Sequence, residues 1–205
     1  MTNKQLGSIA LIGAPVMFIG VITEFLFPAL QDSWFTGVWG IIYITAWMCS
    51  LVVLQRMEVA GDGFGKWLIR LMFFTLTVAN LSNFIRLFAG KDVPWYFFQI
   101  DLFWPLSHAL MLVLAITVLF FNKVSRASKL ILVAAGLWLP IALTLLALFG
   151  KTLPVLFIPG LYHAIMWSLM ALIARRQPDI PESSGILKRK KGHRLTTLPV
   201  NSINY

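Results

Sequence analysis

One cysteine, eight acidic residues and three histidines are all that this 205-residue chain offers of the groups that usually carry metal, redox or acid–base chemistry. The single thiol, Cys49, lies inside an apolar run and excludes an internal disulfide framework, a Cys-x-x-Cys redox pair and a thiolate cluster. It reads as a small buried hydrophobe. The Gly-x-Ser-Gly nucleophile motif of intramembrane serine proteases is absent, and the histidines are too few and too scattered for a desaturase-like diiron site. Charged residues make up 12% of the chain. That is about half the share usual in soluble domains, so no separate soluble domain is expected.

What the chain has instead is apolar length. It is 59% hydrophobic with a mean hydropathy of +0.81. Six runs, at 6–27, 34–54, 67–88, 94–121, 130–148 and 153–174, are each long enough to cross a hydrocarbon core of about 30 Å as helices. The expected fold is all-α: a polytopic membrane protein whose six transmembrane helices occupy 1–176, joined by short loops rich in turn and cap residues. The first run follows Lys4 as a signal peptide would. It exceeds a secretory h-region and shows no clear cleavage site, so it reads as a retained helix.

The net charge of +9 invites a nucleic-acid reading that its distribution rejects, because the basic residues gather at segment ends and in the tail. With the N-terminus inside, Lys4, Arg56, Lys66, Arg70, Lys123, Arg126, Lys129, Arg175 and Arg176 share one side with five basic residues of the tail; only Arg86, Lys91 and Lys151 lie opposite. This asymmetry predicts that both termini are cytoplasmic; the expected location is the cell (plasma or inner) membrane. Residues 177–205 read as a disordered basic tail. Its cluster at 187–194, which includes His193, either rests on anionic lipid or reinforces topology.

Polar residues concentrate in the outer half of the bundle. Glu24, Arg86 and Asp101 fall roughly 6–10 Å below the outer boundary, and Asn80, His108 and His163 roughly 15–20 Å below it, at 1.5 Å per residue. Asn83, Ser107, Tyr162, Trp39 and Tyr43 occupy the same half. In the fourth run, Asp101, Trp104, Pro105 and His108 share a helical face, and Pro105 leaves the carbonyl of Asp101 without its usual donor. Along the first run, Gly13, Met17, Gly20 and Glu24 share a face suited to close helix approach. A faint internal echo relates the second and sixth runs: Gly40, Trp47 and Arg56 recur at equal offsets as Gly160, Trp167 and Arg176.

Several readings follow. Arg86 is the expected partner of Asp101 or Glu24, either as an ion pair tying helices together or as a gate. His108 and His163 are expected to hydrogen-bond across helices to Ser107, Asn80, Tyr162 or a carbonyl. With Asp101 and Glu24 they form a candidate metal shell, and as a pair they are candidate axial ligands of a haem. The favoured function is binding or transport of a small molecule or lipid in a pocket contacted by Glu24, Tyr43, Asn80, Asn83, Arg86, Asp101, Trp104, Ser107, His108, Tyr162 and His163. The alternatives are a membrane-embedded enzyme, metal-assisted or haem-dependent, and a structural subunit bound to another membrane protein.

Overall fold

A computed structural model describes residues 1–179. The chain is an all-α integral membrane protein. Among the described residues six helices are long and apolar enough to cross a bilayer: α1 (Asn3–Leu26), α2 (Trp34–Arg56), α3 (Phe64–Ala89), α4 (Phe97–Leu119), α5 (Arg126–Phe149) and α6 (Leu153–Arg176). They match the six expected runs, with starts displaced by up to four residues. Capping explains two of these shifts. Thr2 forms a reciprocal capping box with Gln5, which starts α1 at Asn3, and the Ser125 hydroxyl accepts from Ser128 N, which starts α5 at Arg126. Apart from Gln177, Pro178 and Asp179, the expected basic tail lies outside the described residues.

Three helices are broken, α1 at Ala14–Pro15, α4 at Leu102 and α5 at Leu137. Each break lies within three residues of Pro15, Pro105 or Pro140. A proline cannot donate to the carbonyl four residues earlier, and its ring crowds that carbonyl. Pro159, by contrast, sits inside a continuous α6.

The helices form a ring in chain order. Each packs on its neighbours in sequence, α6 returns to α1, and α2 also touches α6 across the ring. The two described ends of the chain meet, since Asn3 N donates to the Asp179 carboxylate at 2.6 Å. We call this the terminal end and the opposite one the distal end. Toward the terminal end the interior is a packed aliphatic plug that includes Leu51, Leu54, Leu68, Met72, Met111 and Leu114. The outside is apolar as well. Phe88, Phe120, Leu130 and Leu148 are each more than two-thirds exposed, a surface that hydrocarbon covers.

With lipid outside, burying apolar surface gives helices little reason to associate, so close packing has to hold them. Two glycines provide it. A Cβ on Gly7 would collide with the Cα of Arg175 on α6, and one on Gly37 would stand 2.6 Å from the carbonyl oxygen of Asn83 on α3. Both obstacles are backbone and cannot swing aside. Gly7→Leu and Gly37→Leu are therefore expected to destabilise the bundle by at least about 1–3 kcal/mol, the usual cost of overpacking. Gly63→Leu, whose Cβ meets nothing within 4 Å, serves as the control. Thermal unfolding in detergent measures all three, and equal melting temperatures would refute this account of the packing.

Candidate functional site

The centre of the ring is a layer of aromatic and imidazole rings. Tyr43 comes from α2, His108 from α4 and His163 from α6, and none is more than 1% exposed. The Tyr43 hydroxyl lies 2.9 Å from His163 Nε2 and 3.3 Å from His108 Nε2. His108 Nδ1 is 3.0 Å from the carbonyl oxygen of Trp104, one turn earlier on α4. Four tryptophans enclose the two imidazoles. Trp167 stacks on His163 at 3.9 Å, while Trp138, Trp47 and Trp104 lie 4.4, 4.6 and 4.8 Å from His108 between ring centroids. Trp138 is itself anchored by its indole N–H, which donates to the carbonyl of Pro159.

The donor order follows from this geometry. A carbonyl only accepts, so His108 Nδ1 carries a proton, and a neutral His108 presents a bare Nε2 to Tyr43. The Tyr43 hydroxyl then donates to His108 and accepts from His163, whose proton must be on Nε2. This leaves His163 Nδ1 as a bare acceptor, and it has no partner among the described residues; nor do the indole N–H groups of Trp47 and Trp167. The two histidines thus hold opposite tautomers.

Above this layer, at the distal end, α2, α3 and α4 enclose a cavity of about 200 Å³. Its rim is charged, with Asp32, Arg86 and Asp101; its walls carry Ser82, Asn83, Trp39 and Phe97; Tyr43 and Trp104 line it as well. Tyr43 therefore belongs to both the cavity and the imidazole layer. The Ser82 hydroxyl shares its proton between the Ala79 carbonyl at 2.7 Å and the Asp101 carboxylate at 2.9 Å, and so holds that carboxylate against α3.

The charged residues pair differently from expectation. Arg86 meets neither Asp101 nor Glu24; its Nη2 lies 3.3 Å from Asp32, in the turn before α2, and its Nη1 donates to the carbonyl of Gly90. Two causes are visible. Arg86 is in the last turn of α3, so its long side chain reaches the loops at the distal end. Both acids are also engaged elsewhere: Asp101 by Ser82, and Glu24 by the Thr36 hydroxyl and the Trp39 indole N–H. Asp32 escapes a sequence reading because it sits in a turn, at a φ of 54° that aspartate tolerates.

Of the other candidate site residues, Asn83 and Trp104 line the cavity, whereas Asn80 accepts from Asn83 at 3.3 Å. Ser107 donates to Thr75 on α3, and Tyr162 donates to the carbonyl of Ala134 on α5, so neither bonds a histidine. Asp101 and His108 lie on either side of the break at Leu102 from Pro105 and are not bonded to each other; Asp101 borders the cavity and His108 the layer below. The expected metal set of His108, His163, Asp101 and Glu24 is not brought together, and no three His, Cys, Asp or Glu side chains converge among the described residues. A haem would need a gap between the two Nε2 atoms, where the Tyr43 hydroxyl stands instead. Comparison with protein-family models, curated proteins and solved structures finds no match to this chain.

Asp32, Ser82, Trp47, Trp138 and Trp167 do not stand out in the sequence as site residues. One signal points to the centre all the same. The echo between the second and sixth runs extends to Gly40-x-x-Tyr43-x-x-x-Trp47 and Gly160-x-x-His163-x-x-x-Trp167. Since α2 and α6 run parallel, equal offsets put Tyr43 opposite His163 and Trp47 against Trp167, with ring centroids 5.2 Å apart in the second pair.

Two outcomes check this arrangement. Nitrogen-15 NMR of histidine-labelled protein, in a His193→Gln background, should give an Nδ1–H signal for His108 and an Nε2–H signal for His163; matching tautomers would refute the donor order. Tyr43→Phe leaves two buried imidazole nitrogens without a partner and is expected to destabilise the fold by about 1–3 kcal/mol, measured as a lowered melting temperature.

Proposed function

We propose that the protein binds a small polar ligand admitted at the distal end between α2, α3 and α4. The cavity carries this reading: it runs from a charged rim to the buried Tyr43. Its volume of about 200 Å³ lies below the roughly 300–1,000 Å³ of sites for drug-sized ligands, which suits a small polar ligand rather than a lipid chain. Below Tyr43 the aromatic layer and the aliphatic plug close the path, so the conformation corresponds to a binding state open on one side. In a transporter, the breaks next to Pro15, Pro105 and Pro140 are the natural places for the helices to bend.

In the same reading, the distal end faces outward and both termini are cytoplasmic. Nine basic residues of the described chain lie toward the terminal end, against Arg86, Lys91 and Lys151 at the other. An alkaline-phosphatase reporter inserted after Lys91 should be active and one fused after Arg176 inactive; the reverse pattern would overturn the orientation.

A structural-subunit reading has one observation in its favour: Glu24, Tyr162 and Trp138 are each satisfied by bonds that tie one helix to another. A thermal-shift screen of the nanodisc-embedded protein separates the two. Small polar acids, amines, zwitterions and polyols would each be tested against wild type and Asp101→Asn, a variant that keeps the acceptor for Ser82. A ligand at one hundred times its Kd stabilises by about 2.7 kcal/mol, which raises the melting temperature by roughly 5–10 °C in a chain of this size. At least one compound should do so in wild type and lose much of its effect in Asp101→Asn. A screen in which nothing shifts the transition would favour the structural subunit.

A further inference from the structure

The cavity contains an acid and a base that do not pair with each other. Arg86 is 8% exposed. It donates to the Gly90 carbonyl, lies 3.3 Å from Asp32 and rests 4.3 Å above the ring of Phe97. These contacts occupy two of the five N–H groups of a guanidinium. Its acidic partner, Asp32, has a side chain that is 68% exposed, where solvent screens the attraction. Asp101 accepts one hydrogen bond, from Ser82, and among the described residues no Lys or Arg lies within ion-pair distance of it. Ser82 and Arg86 are one turn apart on α3, so the carboxylate is docked about 6 Å along the helix axis from the position of Arg86.

Opposite charges on the walls of one small cavity, each with hydrogen-bonding capacity unused, are completed by a guest that carries both signs. We propose that the ligand is a small zwitterion of the α-amino-acid type, its carboxylate on the Arg86 guanidinium and its ammonium on the Asp101 carboxylate. A carboxylate fits the fork of a guanidinium. The ammonium group has three donors, one of which suits Asp101. Trp39, Trp104 and Phe97 offer aromatic surface to a short side chain. This inference rests on the small-ligand reading of the cavity and names its substrate class.

The test is isothermal titration of the full-length wild-type protein in nanodiscs with L-alanine and with its two singly charged relatives, propionate and ethylammonium. L-Alanine is expected to bind at least tenfold more tightly than either. Asp101→Asn should weaken L-alanine at least tenfold and leave propionate unchanged, whereas Arg86→Gln should weaken L-alanine and leave ethylammonium unchanged. Should Arg86→Gln fail to fold, the wild-type comparison decides alone. Propionate or ethylammonium binding as tightly as L-alanine would overturn the zwitterion and keep the small-ligand reading. The zwitterion is equally overturned if L-alanine does not bind while an uncharged or singly charged compound shifts the melting transition. Failure of every compound in both assays would overturn both.

Discussion

The fold turns on one hydroxyl. Tyr43 on α2 reaches His108 on α4 and His163 on α6 with the same oxygen, and so joins three helices at a point with almost no solvent exposure. Polar groups at such depth are costly unless paired, and each partner here is satisfied only where the hydroxyl stands. Its geometry in turn fixes the imidazole tautomers, and the tautomers fix which nitrogen is left bare. The tryptophans hold the rings in place, and Trp138 is itself tied to the Pro159 carbonyl. A rigid centre thus depends on a chain of bonds with a single permitted direction.

That centre is reachable only because the helices come close. Gly13 and Gly20 let α1 lie against Ala46 and the Trp39 ring of α2, while Gly37 and Gly40 let α2 lie against α3. The second contact has a further effect. With α2 and α3 this near, Asn83 and Ser82 on α3 and Thr36 and Trp39 on α2 all border one cavity. Of these side chains, Ser82 meets Asp101 across the cavity, while Thr36 and Trp39 turn to Glu24 on α1.

Much of this was legible in the sequence, because hydropathy and helical rise act locally. Six runs became six helices, the face of Gly13, Met17, Gly20 and Glu24 turned toward α2, and the depth of His108 and His163 brought them into one layer. The failures concern partners. Arg86 could be placed by depth but not by direction, and the last turn of a helix lets a long side chain point toward loops as easily as toward the core. Its partner, Asp32, belongs to a turn whose path depends on how α1 and α2 pack. Tyr162 shared the half-bundle of the histidines yet faces Ala134, because one residue of rotation from His163 is about 100° around the helix. Depth is a one-dimensional property; pairing needs the angle as well, and only the assembled ring sets the angle.

Charge and depth are arranged in a sequence from the distal end inward. Asp32 and Arg86 stand at the mouth, Asp101 beside Ser82 a turn lower, and below them a neutral layer of phenol, imidazole and indole. This order follows the cost of burying charge, which rises toward the bilayer centre. Tyr43 is where the two regimes touch. Its oxygen has one proton and two lone pairs; the proton goes to His108, one pair receives His163, and the other faces the Trp104 indole N–H. A guest that must accept from Tyr43 has to break the longer bond, the one to His108 at 3.3 Å, and strands an imidazole nitrogen deep in the bundle. The buried layer therefore closes the floor of the cavity with an oxygen whose proton and lone pairs are all engaged.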